Sequence, residues 1–186
     1  MTSVRQQNFL LRKEKILAMA ETLLLDNNQD ITLSELATEL DIAKGTIYKH
    51  FKSKNQLYLE LIILNETRLL EISQKHNNDI KTYVSEYMLY NMLNSNRTIL
   101  LHVIEERLTN NERKLKELFE KLYQIREQRI IEIKDMTSDY LKSLDSAMSI
   151  RDYLSYVWTV TYGASLLLNS TCLLYTSDAA DDSLRV

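Results

Sequence analysis

The sequence of 186 residues contains no proline and only two glycines, Gly45 and Gly163. Ordinary usage of about 5% and 7% would supply roughly nine prolines and thirteen glycines. β-Sandwiches, barrels and dinucleotide-binding folds place both residue types in their turns and phosphate loops, so this scarcity favours an almost wholly α-helical protein. No apolar run reaches the ~18 residues of a membrane span, and the polar start lacks a signal-peptide pattern. We therefore expect an all-α, soluble, cytoplasmic protein that does not contact a membrane.

Cysteine and histidine are also scarce. A single cysteine, Cys172, precludes an internal disulfide and fits a reducing cytoplasm. The three histidines, His50, His76 and His102, lie far apart without metal-ligand spacing, and there is no glycine-rich phosphate loop. The twenty-six acidic residues offer carboxylate pairs, but nothing in the pattern selects one. We predict no metal site, no cofactor, no catalytic residue and no enzymatic activity.

The C-terminal stretch differs from the rest of the chain. From Cys172 it reads Cys-Leu-Leu-Tyr-Thr-Ser-Asp-Ala-Ala-Asp-Asp, loses the helical period and looks like a translated sequencing-library adapter. We interpret residues 171–186 as a non-native tail, the alternative being a natural disordered tail. Three aspartates and one arginine there account for −2 of the formal net charge of −3. Since the remainder is nearly neutral, any nucleic-acid contact must come from a local basic patch.

Hydrophobic periodicity predicts helices joined by short polar breaks. A capping box of Thr32 and Glu35 opens a short helix that ends at Asp41, and a second capping box of Ser53 and Gln56 opens a long helix to about His76. The other predicted helices cover residues 8–26, 44–51, 80–93, 96–109, 111–137 and 146–170.

Two short helices across a tight turn, residues 32–51, have the order of a helix-turn-helix, whose second helix enters the major groove of DNA. From Lys44 to Lys54 the chain carries four lysines and His50 with no acid, whereas residues 1–43 are acidic overall. A phosphate-binding surface needs such a local excess of positive charge. This segment is the candidate interface with double-stranded DNA.

The runs Thr-Leu-Ser-Glu-Leu-Ala (32–37) and Asp-Ile-Ala-Lys-Gly-Thr-Ile-Tyr-Lys-His-Phe-Lys-Ser-Lys (41–54) closely resemble the signature of TetR-family transcriptional regulators. With Ile16, Leu17 and Ala20 of the first helix, the resemblance covers residues 12–58. It implies a helix-turn-helix DNA-binding domain at 1–55 and a helical ligand-binding and dimerisation domain at 56–170. Two departures stand out, Asp41 where the family commonly has glycine and Ala43 where it has a capping hydroxyl.

The resemblance also implies residue roles. Lys44 and Thr46 match positions that reach base edges, Tyr48 and His50 match phosphate contacts, and Lys49 fits either. Thr32, Ser34 and Lys54, at the starts of neighbouring helices, match further phosphate contacts, and Gly45 allows the backbone to approach DNA closely. The competing interpretations are that single lysines are solvated charges and that His50 packs against Phe51.

Beyond residue 76 the signals are weaker. Tyr83 and Tyr87 share a helix face with Met88 beside them, and His102 follows, so this region is a candidate pocket for a small-molecule effector. Such a stripe is also typical of ordinary core. An apolar stripe around Gly163-Ala164-Ser165 favours a homodimer interface under the resemblance, or else an intradomain contact.

These patterns together predict a DNA-binding transcriptional regulator, a ligand-responsive repressor that binds a palindromic operator as a homodimer. The alternative is a helical protein–protein interaction module of the same fold in which DNA binding is secondary. Neither the effector nor the operator is identified by the sequence.

Overall fold

A computed structural model describes residues 3–27, 30–109 and 114–170, and the fold within these ranges is all-helical. The expected fold class is therefore confirmed. The tail predicted as non-native, residues 171–186, lies outside the described residues. The helices are α1 (Val4–Asn27), α2 (Leu33–Glu39), α3 (Lys44–His50), α4 (Lys54–Lys75), α5 (Ile80–Leu93), α6 (Ser95–Thr109), α7 (Lys116–Ser143) and α8 (Ile150–Leu168).

Local sequence signals placed most helix boundaries within two residues, but four differ by four or more: α1 begins at Val4 and not at residue 8, α7 covers Lys116–Ser143 and not 111–137, and α8 begins at Ile150 and not at residue 146. The helix predicted to stop at residue 137 continues to Ser143, because Leu141 is buried and continues the apolar face. The following helix begins at Ile150 instead of 146. Ser149 caps it by accepting a hydrogen bond from the Asp152 backbone N–H at 3.1 Å, so the earlier Ser146 is not the cap.

The described chain divides into two units, of which the first comprises residues up to Asn65 together with the described part of Ile104–Leu122. In this unit α2 packs against both α1 and α3. Its interior is almost entirely aliphatic and aromatic, and each of these side chains is at most 8% exposed: Ile16, Leu17, Ala20, Leu24, Leu36, Ile47, Phe51, Leu57 and Tyr58.

The second unit comprises Glu66–Val103 and the described residues from Tyr123 onward. Helix α5 packs against α8, and the core cluster consists of Leu69, Ile80, Tyr83, Tyr87, Ile133 and Val157. Across the described ranges, no helix combines the length and apolarity needed to cross a membrane.

Candidate nucleic-acid interface

Helix α2 begins at the predicted capping box. The Glu35 backbone N–H donates to Thr32 Oγ1 at 3.1 Å, and the Thr32 N–H donates to Glu35 Oε2 at 2.7 Å. Hydrogen bonds from the Thr32 backbone and side chain to the Glu35 carboxyl hold the pKa of that carboxyl below its ordinary value. Two backbone donors that the helix leaves unpaired are thus satisfied, and Thr32 and Ser34 remain exposed at the helix start.

The turn after α2 brings the two short helices together. Asp41 adopts φ 49°, in the left-handed region that aspartate tolerates better than most residues, and the Ile42 N–H donates to the Ala37 carbonyl at 3.0 Å. Aspartate therefore supports the turn in place of glycine. Ala43 provides no side-chain cap, yet α3 begins directly after it at Lys44.

Helix α3 is anchored on one side and open on the other. Ile47 and the following Phe51 are completely buried, whereas Lys44, Tyr48 and Lys49 are exposed. The exposed side also carries Gly45 and the half-buried Thr46. A Cβ atom added at Gly45 would meet nothing within 4 Å, so no contact inside this chain requires glycine at that position.

Lys54 lies at the start of α4, where it is held by other residues of the first unit. Its Nζ donates to Asp30 at 2.9 Å, and the same carboxylate accepts hydrogen bonds from Arg107 at 3.2–3.3 Å and from the Tyr58 hydroxyl at 3.2 Å. Partial burial raises the pKa of Asp30, but the bonds from Lys54 and Arg107 outweigh it and hold the pKa below the ordinary value. Lys54 is thus a positioned cation, partly neutralised by Asp30.

His50 differs from the other predicted contacts because it is only 8% exposed. Its ring stacks on Phe9 of α1 with centroids 4.1 Å apart, and the Phe51 ring lies farther away at 6.4 Å. Burial, followed by nearby Arg12 and other cations, lowers the pKa of the imidazole. This placement favours the packing interpretation, although the principal partner is Phe9 rather than Phe51.

A group of residues on α1 was not singled out by the sequence analysis. Arg5, Gln6 and Arg12 line a 550 Å³ cavity with Thr46 and Lys49 of α3, and no acidic side chain lines it within the described residues. Arg5, Phe9 and Arg12 are spaced four and three apart, so they share one helix face. That spacing is the signal that would have identified this extension of the basic surface.

The predicted effector residues are only partly brought together. Tyr83 and Tyr87, 2% and 7% exposed, belong to the core cluster and also line a 660 Å³ cavity in the second unit. Met88 packs against the cluster but does not line this cavity. His102 lies edge-on to Tyr162 at 4.8 Å and to Trp158, which lines the cavity, at 5.8 Å.

An ionic cluster, also missed from sequence, adjoins the two tyrosines. Arg126 Nε donates to Glu66 Oε1 at 3.1 Å, and Arg129 Nη2 lies 3.3 Å from Glu66 Oε2. Arg129 Nη1 also donates to the Tyr83 hydroxyl at 3.4 Å. Within the described residues there is no group of three or more side chains arranged to hold a metal ion.

Comparison with known proteins finds a family match within the first unit. Residues 16–61 match the family described as bacterial regulatory proteins, tetR family. The HTH-type transcriptional regulator QacR of Staphylococcus aureus strain Mu50 is 34% identical over 82 residues, which are 44% of this chain and 44% of that relative. The chain thus matches less than half the length of this relative. The capped α2, the left-handed turn and the basic α3 all lie within residues 16–61, so this part of the chain is similar to the tetR family of bacterial regulatory proteins.

Proposed function

We propose that this protein is a DNA-binding transcriptional regulator, and specifically a ligand-responsive repressor that acts as a homodimer. The main observation behind this proposal is that α3 has one buried side and one exposed, basic side. Ile47 and Phe51 are buried, while the exposed side presents Lys44, Tyr48 and Lys49 with no acidic residue in the helix. A rigid helix with a basic outer face suits insertion into the major groove.

The proposed contacts follow from where these side chains lie. Lys44 and Thr46, in the first turn of α3, would reach base edges, because the N-terminal residues of a recognition helix lie deepest in the groove. Tyr48, Thr32 and Ser34 would contact phosphates, assisted by backbone amides at the helix starts. Lys49, with Arg5 and Arg12 of the adjoining cavity, would extend the phosphate-binding surface.

Homodimerisation is supported by the outer surface of α8. Tyr156, Val160 and Leu167 share one side of this helix and are 60%, 39% and 56% exposed, which is a costly arrangement in water. A symmetric dimer would cover these side chains and present two copies of α3. The operator would then be a near-palindrome with half-sites about 34–36 Å apart.

Response to an effector is supported by the cavity lined by Tyr83 and Tyr87, whose 660 Å³ suits a small organic molecule. A ligand lowers DNA affinity only to the extent that it binds the DNA-incompetent arrangement more tightly. We propose that the effector acts in this way.

The test is fluorescence anisotropy with the DNA upstream of the gene against random competitor, at a fixed stated salt concentration. Lys44→Ala should lower discrimination between operator variants by about 1–3 kcal/mol, whereas Tyr48→Phe should weaken binding to all sequences alike. Lys142→Ala, on exposed α7 surface of the second unit, is the control and should change neither quantity.

The interaction-module alternative makes the opposite prediction. If wild type shows no preference for the upstream fragment, and Lys44→Ala and Tyr48→Phe leave regulation in the cell unchanged, DNA recognition is not the function of α3.

A further inference from the structure

The cavity of the second unit is bounded by residues of α5, α7 and α8. Its apolar surface comes from aromatic and aliphatic side chains, including Tyr83, Tyr87, Ile133, Leu154 and Trp158. Trp158 is 47% exposed, whereas Tyr83 and Tyr87 are almost fully buried. The walls therefore suit a ligand with an apolar or aromatic body.

The charged residues that line the cavity all have the same sign. They are Arg129, Lys134 and Arg151, and within the described part of the chain no aspartate or glutamate lines it. Lys134 and Arg151 are exposed, and Arg129 has a side chain only 17% exposed. Any charged group of a ligand in this cavity therefore faces positive charge, both from the largely buried Arg129 and from the exposed Lys134 and Arg151.

The acid that pairs with Arg129 is Glu66, and its charge is already neutralised. Its two carboxylate oxygens face Arg126 Nε at 3.1 Å and Arg129 Nη2 at 3.3 Å, so two guanidinium groups share one carboxylate. Capturing Glu66 with a cationic ligand would separate this buried pair and leave arginine charge uncompensated, which is strongly unfavourable.

Arg129 is also held in place before any ligand arrives. Its guanidinium carbon lies 5.7 Å from the Tyr87 ring centroid, and its Nη1 donates to the Tyr83 hydroxyl. Its Nε is buried and has no hydrogen-bond partner among the described residues. Burial lowers the pKa of Arg129, but Glu66, Tyr83 and Tyr87 together outweigh it and raise the pKa, so the group is charged. A preorganised cation with unused donor capacity favours an anion.

We propose that this cavity binds an organic anion, a carboxylate attached to an aromatic or other apolar body, as the effector. The carboxylate would face Arg129, Lys134 and Arg151, and the body would lie among Tyr87, Leu154 and Trp158. This inference rests on the proposed effector-binding function and names the chemical class that the cavity selects.

Trp158 provides a direct signal, because it is the only tryptophan in the chain and it lines the cavity. Three probes of nearly equal shape separate charge from hydrophobicity: 4-phenylbutyrate, 4-phenylbutyramide and 4-phenylbutylammonium. None absorbs appreciably at the wavelengths that excite tryptophan selectively. Titration of the full chain at neutral pH should give the anion an affinity at least about tenfold above that of the cation, with the amide between them.

Variants at the exposed positions test the cause without disturbing the buried cluster. Arg151→Gln and Lys134→Gln should each weaken phenylbutyrate binding about two- to fivefold and leave the amide unchanged. Arg151→Glu should narrow or reverse the preference for anion over cation. Lys142→Gln, on the same helix as Lys134 but not lining the cavity, is the matched control and should have no effect.

The inference is overturned if the ammonium probe binds as tightly as the carboxylate, if the amide does so, or if the carboxylate does not bind at millimolar concentration. It is also overturned if Arg151→Gln and Lys134→Gln bind the anion as wild type does.

The DNA-binding assay separates this result from the proposed function. A protein that binds its upstream DNA but fails the probe series loses only the effector class, whereas one that passes the probe series but binds no DNA fragment loses the proposed regulatory role.

Discussion

The two units differ in where their proposed contact residues lie relative to the core. In the first unit the interior is aliphatic and aromatic, and the proposed contact residues Lys44, Tyr48 and Lys49 are exposed. In the second unit two of the proposed effector contacts, Tyr83 and Tyr87, are themselves buried, at 2% and 7% exposed. Binding to a rigid external duplex needs a firm apolar support behind a polar surface, whereas recognition inside a cavity requires polar groups within the core.

The polar groups of the second unit are mostly satisfied locally. Thr137, Thr161 and Ser165 are buried and donate to carbonyls one turn earlier in their own helices, at 2.7, 2.7 and 2.9 Å. The Glu66 cluster instead depends on partners in another helix, Arg126 and Arg129. Loss of a partner should therefore lower the free energy of unfolding far more at Glu66 than at a hydroxyl that donates a hydrogen bond within its own helix.

The largest expected effect tests the apolar support. Phe51→Ala removes a completely buried ring and should lower the free energy of unfolding by about 4 kcal/mol, measured by urea denaturation. Tyr48→Ala is the matched control, because Tyr48 is 42% exposed and its loss should change stability by roughly 0.5 kcal/mol or less. Equal destabilisation by both would mean that α3 does not have distinct inner and outer sides.

The second-largest effect is expected at the buried ionic cluster. Glu66→Leu should lower the free energy of unfolding by about 3 kcal/mol, because it leaves Arg126 and Arg129 without their carboxylate. The triple variant Glu66→Leu, Arg126→Leu, Arg129→Leu should recover most of that loss, because no uncompensated charge remains. If the single variant is as stable as wild type in urea denaturation, the cluster does not hold the second unit together.

The missing cap of α3 offers a smaller, stabilising change. Ala43→Ser should supply a side-chain acceptor at the helix start and raise the free energy of unfolding by about 1 kcal/mol, again measured by urea denaturation. Ala18→Ser is the control. Because Ala18 is exposed in the middle of α1, where serine has a lower helix propensity than alanine, this change should be slightly destabilising. An Ala43→Ser variant no more stable than wild type would show that the α3 amides are already satisfied.

The smallest effect concerns Asp30, whose pKa is below its ordinary value of 3.8. A carboxylate with a depressed folded-state pKa stabilises the fold above the unfolded pKa, and this contribution disappears as pH falls through the folded value. Because Asp30 is about half exposed, Asp30→Asn should lower the free energy of unfolding by less than about 1 kcal/mol near neutral pH. The difference between the two proteins should shrink below about pH 4 and vanish in stronger acid; a constant difference across that range would contradict the ionic origin.

The part of the site made from neighbouring residues was predictable, and the part made across the chain was not. Thr32 and Glu35 are three residues apart and form their capping box whatever surrounds them. By contrast, nothing near His50 in sequence indicates Phe9, and nothing near Glu66 indicates Arg126 sixty residues later. Such contacts depend on how helices pack, which periodicity alone does not specify.

The sequence by itself determined the helical class, the capped α2, the tolerated left-handed turn at Asp41 and the basic outer face of α3, because each depends on residues within about four positions of one another. Only the tertiary structure decided that His50 faces inward, that Lys54 pairs with Asp30, and that Tyr83 and Tyr87 line a cavity as well as a core. The physical reason is that burial and long-range ion pairing are properties of packed helices, whose relative arrangement no local pattern encodes.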